Sequence, residues 1–446
     1  MVVHGIKELS YREDTNSTII QGDYKLTLIT NSPTFEYQLN QTIYFIVTIE
    51  KNNNSLKHAI LDYVLKWDQN IILEKGTVEI KDGKAEIKTS SNKPGFIMAE
   101  FSLPIDGTKP LMHRCGVAIN PEQIEPSLEL PEDFDEFWSN AKNQLSKIPI
   151  ESKWTAINHQ SHPSLHNYSH KSLLASDISD VEINDVQVSS YSRTLSGIYT
   201  RPAKRTLKKH PAMLCVQGAG VMPTQPHNFI AQAKKGILVY EIGVHGISNL
   251  EEISYYQTLL DGRLKGYMHF GREDKNSSYF KAVFLGVKRG LDFLMSQPEW
   301  DGKTIVIRGS SQGGVQCMAG AYLEPLVSMI SARVPALCDH TGFLKGRSVG
   351  GGKLVAFDKE GKPDPITLES SRYFDGVNFM RRLKCRGSFS VGLIDGGCSP
   401  SSIFAAYNAF QGKKSMIIQP YTGHANTPET IEKMDNELDD FCLKSF

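Results

Sequence analysis

Residues 304–321 read Thr304-Ile305-Val306-Ile307-Arg308-Gly309-Ser310-Ser311-Gln312-Gly313-Gly314-Val315-Gln316-Cys317-Met318-Ala319-Gly320-Ala321, an apolar run joined to a small-residue run through a G-x-S-x-G. The first run predicts a buried strand and the second a closely packed helix. A serine on so sharp a strand-to-helix turn is held out of the sheet, which makes Ser311 a candidate nucleophile. Gly309 and Gly313, two residues to either side, remove side chains that would collide there.

The same alternation extends outward from this turn. Short apolar runs at 212–216, 236–240, 331–338, 388–393 and 415–419 alternate with helical stretches such as 280–296. Strands alternating with helices predict an α/β fold around a largely parallel sheet, and with the serine turn an α/β-hydrolase. Upstream the period changes. Between about residues 20 and 120, runs at 43–49, 59–67, 77–80, 85–88, 96–103 and 116–119 alternate apolar and polar, the pattern of a smaller all-β, immunoglobulin-like sandwich. Its clearest turn is Asp82-Gly83, whose flanks read as a tight hairpin. Pro121, Pro126 and Pro131 mark a linker, after which 133–148 reads as an amphipathic helix through Phe134, Phe137, Trp138, Ala141 and Leu145. The expected division is therefore 1–125 for the sandwich and 126–446 for the hydrolase domain.

At 446 residues the chain has room for about two to four domains, and 40% hydrophobic with 22% charged residues is the profile of a globular protein. Lys+Arg and Asp+Glu balance at 49 each, which offers no basic field to a nucleic acid. No apolar stretch approaches the roughly 20 residues needed to span a bilayer, and residues 1–20 lack the pattern of a signal peptide. The expected location is cytoplasmic, or periplasmic or secreted if the sequence is that of a processed form. Seven cysteines without C-x-x-C spacing argue against a disulfide framework and read as small buried hydrophobes.

A serine nucleophile needs a base to take its proton and a carboxylate to orient that base, and α/β-hydrolases supply them in the order Ser, Asp/Glu, His. Downstream of Ser311 stand His340 and His424. The strand-end carboxylate available to His340 is its immediate neighbour Asp339, so His424 is preferred. Asp395 ends the apolar run 389–394 and opens the loop Gly396-Gly397-Cys398, where a parallel sheet places functional residues; Asp339 is second choice. For the oxyanion, the N–H of Gln312 follows the nucleophile, and Ala219, in the glycine-rich loop 216–220, is the candidate second donor. His159, His162, His166 and His170 are spaced 3, 4 and 4, but Pro163 interrupts any helix and no carboxylate or cysteine joins them, so a loop is expected rather than a metal site. No cofactor is called for.

From about residue 131 onward, Pro131-Glu132-Asp133-Phe134-Asp135-Glu136-Phe137-Trp138, Ser296-Gln297-Pro298-Glu299-Trp300-Asp301, Arg308 to Gly314, Gly392-Leu393-Ile394-Asp395 and Pro400-Ser401-Ser402-Ile403-Phe404-Ala405-Ala406-Tyr407-Asn408 resemble the acetyl xylan esterase and cephalosporin C deacetylase family, the seventh carbohydrate esterase family. The resemblance implies an α/β-hydrolase that removes acetyl groups from sugars and small molecules, with nucleophile, acid and base at Ser311, Asp395 and His424. Three departures stand out. Ala219 occupies the place where the family usually has a tyrosine, which implies a more open acyl pocket. Ala425 follows His424 where the family usually has a glutamate, and the sandwich is an addition to the compact family pattern. The expected partner is an acetylated carbohydrate or small acetyl ester; a homo-oligomer is allowed, but the family's ring-like hexamer is not implied. Two rival readings remain at this point: a dienelactone-hydrolase-like or peptidase-like enzyme on the same fold, and a non-catalytic carbohydrate-binding protein.

Overall fold

The structure, a computed structural model, describes residues 7–10, 17–157, 180–203, 209–226 and 228–444. After a first strand, β1 (Lys7–Ser10), the period-two runs fold into β2 (Thr18–Gln21), β3 (Tyr24–Thr30), β4 (Glu36–Tyr37), β5 (Ile43–Lys51), β6 (Asn54–Ser55), β7 (Ile60–Trp67), β8 (Ile71–Glu79), β9 (Lys84–Thr89), β10 (Gly95–Leu103) and β11 (Leu111–Ile119). Strands β2 to β11 make two sheets, one ordered β4-β11-β10-β7-β8 and the other β2-β3-β5-β6 with β9 also on β5. Alternate residues Phe45, Val47 and Ile49 share one buried cluster with Leu61, Leu65, Phe101 and Val117 of the opposite sheet, as expected of strands with one face turned inward.

The Asp82-Gly83 turn forms with φ of 50° and 84°, and Lys81 and Lys84 exchange backbone hydrogen bonds of 2.9 and 3.1 Å across it. The strands it joins do not pair as a hairpin. Strand β8 pairs with β7 and β9 with β5, so the chain crosses from one sheet to the other here. Fully buried Ile80, part of the core between the sheets, marks the crossing.

Past the linker, α1 (Phe134–Ser146) buries Phe134, Phe137, Trp138, Ala141 and Leu145, the set read from the spacing. There follow β12 (Ser152–Ala156), β13 (Val181–Ser189), β14 (Thr194–Pro202), β15 (His210–Val216), α2 (Ile230–Lys234), β16 (Leu238–Gly243), α3 (Ile253–Asp261), α4 (Tyr279–Met295), β17 (Trp300–Ser310), α5 (Gln312–Leu323), β18 (Val327–Arg333), α6 (Pro365–Ser371), α7 (Gly376–Met380), β19 (Arg386–Gly392), α8 (Pro400–Ala409), β20 (Lys414–Gln419) and α9 (Pro428–Lys444). They build one sheet ordered β1-β20-β19-β18-β17-β15-β16-β14-β13-β12. It is parallel from β1 to β16 and antiparallel from β16 to β12. The N-terminal strand β1 thus extends the hydrolase sheet beside β20, outside the sandwich that the rest of the first 120 residues forms.

The strands read as unbroken apolar runs because both faces are covered. In β15, Ala212, Leu214 and Val216 pack with α1, α4 and α5, while Met213 and Cys215 pack with Leu438 and Cys442 of α9. The run expected as a strand over 331–338 is divided. β18 stops at Arg333, and Val334 and Leu337 take positive φ of 35° and 57°. A Cβ on Gly314 at the start of α5 would come within 2.6 Å of the Pro335 Cβ, so the chain bends out of the sheet over the helix start.

The sandwich and the α/β domain have separate cores, and each lends residues to the other's. Phe96 and Ala118 belong to the large cluster of the α/β domain, with the Phe96 ring 5.3 Å from that of Phe404 on α8, while Tyr421 belongs to the sandwich core. At the other end of the domain, Trp138 of α1 contacts the rings of Phe137, Phe284, Phe374 and Phe379, and its indole N–H donates to the Tyr373 carbonyl at 3.2 Å. Replacing Trp138 by alanine is expected to cost about 3–5 kcal/mol, read as a lower urea midpoint at unchanged slope.

Candidate active site

The G-x-S-x-G turn has the geometry that its glycines demand. Ser311 lies between β17 and α5 at φ 57° and ψ −121°. A Cβ on Gly309 would lie 2.5 Å from the Gly313 carbonyl oxygen, and one on Gly313 2.6 Å from that of Val216. The Ser311 N–H donates to the Arg333 carbonyl at 2.9 Å, and its carbonyl accepts from Ala336 at 2.9 Å and Gly314 at 2.8 Å. The backbone is therefore pinned on both sides, and the hydroxyl is left half-exposed.

Two loops from neighbouring strands converge on that hydroxyl. His424, after β20, places Nε2 2.8 Å from Ser311 Oγ, and its Nδ1 lies 2.8 Å from Oδ2 of Asp395, after β19. Asp395 is fully buried, and its other oxygen accepts from the N–H groups of Gly397 (2.7 Å) and Cys398 (2.8 Å). With Oδ1 taken by the backbone, Oδ2 is left for the imidazole. The hydrogen bond to Asp395, with the Cys398 thiol beside the ring adding to it, raises the pKa of His424 above the ordinary histidine value against the opposing effect of burial. Asp395, Cys398 and His424 also offer ligand atoms within 4.8 Å of one another, but the carboxylate and both ring nitrogens are already engaged in this hydrogen-bonded chain.

On the opposite flank, Gln312 opens α5, so its N–H has no acceptor within the helix and points from the positive end of the helix dipole. The loop after β15 passes directly over the turn: a Cβ on Gly218 would lie 3.3 Å from the Ser310 carbonyl oxygen and 3.9 Å from the Ser311 Cβ. Ala219, next in that loop, is exposed. The loop is held at Gly220, whose N–H donates to Tyr267 Oη at 3.2 Å, while Tyr267 donates to Gln312 Oε1 at 3.0 Å. His245 bridges the Gly220 carbonyl (Nε2, 2.7 Å) and the Tyr279 hydroxyl (Nδ1, 2.6 Å). Burial lowers its pKa to about 4, so the neutral ring donates from Nε2 and accepts at Nδ1.

The structure thus brings Ser311, His424, Asp395, Gln312 and the Ala219 loop together. Asp339, the second-choice acid, is engaged elsewhere, accepting from the N–H and Oγ of Ser127 at 2.9 and 2.5 Å and pairing with Arg347 at 2.7 Å. His340 is buried, its pKa lowered to about 4 by desolvation, and its N–H donates to Asp375. The four histidines at 159, 162, 166 and 170 lie outside the described residues. Tyr267, Tyr279 and His245 were not anticipated. His245 had one available signal, its place two residues beyond the carboxyl end of β16, whereas Tyr267 sits in a short turn with no local mark of its role.

The acetyl xylan esterase (AXE1) family model matches residues 122–438. The chain belongs to the acetyl xylan esterase family. This esterase is 29% identical over 373 residues to the acetyl esterase Axe7A of Xylanibacter ruminicola, covering 82% of this chain and 80% of that one. Among solved structures it is similar to an acetyl xylan esterase from Paenibacillus sp. R4, at 25% identity and TM-score 0.59, covering 72% of this chain and 98% of that one. Acetyl xylan esterase 1 from Thermoanaerobacterium sp. has the same fold at 23% identity and TM-score 0.60, covering 72% and 97%. The esterase is a serine hydrolase with an α/β-hydrolase fold, and neither rival reading of the sequence is favoured. Among its described residues no helix is long and apolar enough to cross a membrane.

Because the native state holds a proton on His424 more tightly than the unfolded chain does, this group contributes stability below the unfolded histidine pKa and loses it as pH rises through the folded value. In an NMR titration the His424 ring is expected to titrate above the ordinary value of about 6.5. In Asp395→Asn it is expected to fall towards or below that value.

Proposed function

We propose that this esterase removes acetyl groups from acetylated xylan or xylo-oligosaccharides through an acetyl-enzyme intermediate on Ser311. The observation that carries the reading is the unbroken hydrogen-bonded chain Asp395–His424–Ser311, with 2.8 Å at each link, at the carboxyl edge of the parallel sheet. The acetyl specificity rests on the family and on the names of three relatives, one an acetyl esterase and two acetyl xylan esterases.

In this mechanism neutral His424 takes the Ser311 proton as Oγ attacks the acetyl carbonyl, and the Asp395 carboxylate stabilises the imidazolium that forms. The developing oxyanion is met by the Gln312 and Ala219 N–H groups, the first at a helix N-terminus. His424 then protonates the departing sugar oxygen. Water, activated by the same histidine, attacks the acetyl-enzyme, releases acetate and returns the proton to Ser311. The polysaccharide need enter only far enough to present one acetyl group, which suits the exposed Ala219 at the site's mouth.

The test is acetate release from acetylated xylan and acetylated xylo-oligosaccharides. Ser311→Ala is expected to lower turnover by about 10⁴-fold or more. Ser311-dependent cleavage of simple acetyl esters with none from either sugar would reject the substrate and keep the nucleophile. As a base, His424 must be unprotonated, so kcat/KM is expected to rise with pH to a plateau, and Asp395→Asn to move that limb to lower pH while lowering the plateau.

A further inference from the structure

The tip of the β7–β8 hairpin is built unlike an ordinary surface turn. Two of the three residues between its strands, Asp68 and Gln69, have positive φ, 47° and 73°, without glycine at either place. Hairpin tips normally face water. Here Asp68 and Gln69 are 1% and 5% exposed, because that side of the tip is turned into the α/β domain, while Asn70 stays exposed.

Both side chains reach the segment around Asp395, through the Asp68 carboxylate and the Gln69 amide nitrogen. Asp68 Oδ1 accepts from Ser399 Oγ at 2.6 Å, and Oδ2 accepts from Ser401 Oγ and the Ser348 N–H, each at 2.6 Å. The Ser401 N–H also reaches this carboxylate. Asp68 therefore acts as the N-cap of α8, supplied by another domain, while the hydroxyl of Ser399, the cap residue itself, makes no capping bond within the helix. Gln69 Nε2 donates to the Leu393 carbonyl at 2.5 Å, two residues before Asp395. The base loop is gripped from the same side. The Gly116 N–H donates to the Pro420 carbonyl at 2.8 Å, and Tyr421, its ring beside Phe35 and His113, donates to the Leu28 carbonyl at 2.7 Å.

Between Leu393 and Ser399, both anchored by the hairpin, lies the loop whose Gly397 and Cys398 N–H groups hold Asp395 Oδ1. We propose that the sandwich is a positioning element of the esterase: Asp68 and Gln69 fix the two ends of the acid loop, and so keep Asp395 Oδ2 directed at His424. This rests on the reading of Ser311, His424 and Asp395 as nucleophile, base and acid.

The test uses the full chain and p-nitrophenyl acetate, too small an ester to bring a polymer-binding role into play. Folding of each variant is checked by thermal unfolding. Asp68→Ala is expected to lose about 10- to 100-fold in kcat with KM nearly unchanged, the order that a misplacement of about an ångström produces. The low-pH limb of kcat/KM is expected to move down as the hold of Asp395 on His424 loosens. Asp68→Asn keeps an oxygen for the Ser348 N–H, and the serine hydroxyls can turn to its amide, so it is expected to restore most of the turnover. Lys75→Ala, at an exposed site on the same hairpin, is expected to behave as native. If Asp68→Ala does not fold, Gln69→Ala, which removes the bond to Leu393, takes the same measurements. A folded variant with native kcat and an unmoved limb, a loss confined to KM, or an Asp68→Asn as impaired as Asp68→Ala overturns the proposal. Ser311→Ala run alongside separates the two readings: activity retained there defeats the assignment of the nucleophile, whereas its loss beside a fully active Asp68→Ala defeats the positioning role alone.

Discussion

Everything at this site follows from the backbone of one residue, Ser311, held at φ 57° and ψ −121° between strand and helix. The turn closes so tightly that a single added carbon at Gly309 or Gly313 would meet a carbonyl oxygen at 2.5 or 2.6 Å. That closeness carries β17 straight into α5, so the serine hydroxyl and the unbonded N–H of Gln312 emerge together. Sheet order does the rest. β19 and β20 lie to one side of β17, beyond β18, and bring the carboxylate and imidazole, while β15 lies to the other and brings the loop of Gly218 and Ala219. Strand order thus sets the Asp395–His424 pair and the Gly218–Ala219 loop on opposite flanks of Ser311.

Burial of carboxylates recurs around this site, and the partners decide what each one does. Asp339, Asp375, Asp68 and Asp395 are all at most 5% exposed. Asp375 accepts from the N–H groups of Asp339, His340 and Val377, Asp339 from Ser127 with Arg347 beside it, and Asp68 from serines. These groups fasten loop to loop. Asp375 and Asp395 each take two backbone N–H groups on one oxygen, but the other oxygen of Asp395 faces an imidazole where that of Asp375 accepts a third backbone N–H. Two N–H groups on Oδ1 compensate for the burial of the Asp395 carboxylate and leave Oδ2 to hold the imidazole.

What could be read in the sequence was what depends on neighbours a few residues apart. The serine turn, the apolar period of α1, and the places of Asp395 and His424 just beyond apolar runs all have local signatures, and the structure brings those residues together. The Asp82-Gly83 turn was equally legible, but the pairing of its flanks was not, because Ile80 is drawn into the core between two sheets and that choice is made by distant strands. The end of β18 was misjudged for a similar reason: Val334 to Cys338 are apolar because they are buried beneath other segments, not because they continue the strand. Tyr267 and Asp68 lay beyond reach altogether. Asp68 meets Ser399 and Ser401 across 331 and 333 residues of chain, and neither an aspartate in a turn nor a serine before a proline announces such a partner.

The joint between the two domains divides adhesion from register. Apolar contacts such as Phe96 against Phe404 favour association but are indifferent to small rotations, since burial of apolar surface has no direction. The Asp68 carboxylate is the opposite case. Its donors arrive from Ser348, Ser399 and Ser401, and a rotation that satisfied one would strand another in a site closed to bulk solvent. A carboxylate at the start of α8 also suits the positive end of that helix, which favours burying the charge there. Loops at the carboxyl ends of parallel strands are where chemistry can be placed, and they are also the least constrained part of such a domain. A directional polar plug behind the acid loop supplies the constraint that the α/β domain alone leaves open, which is why a sandwich that contributes no side chain to the reacting groups can still set their geometry.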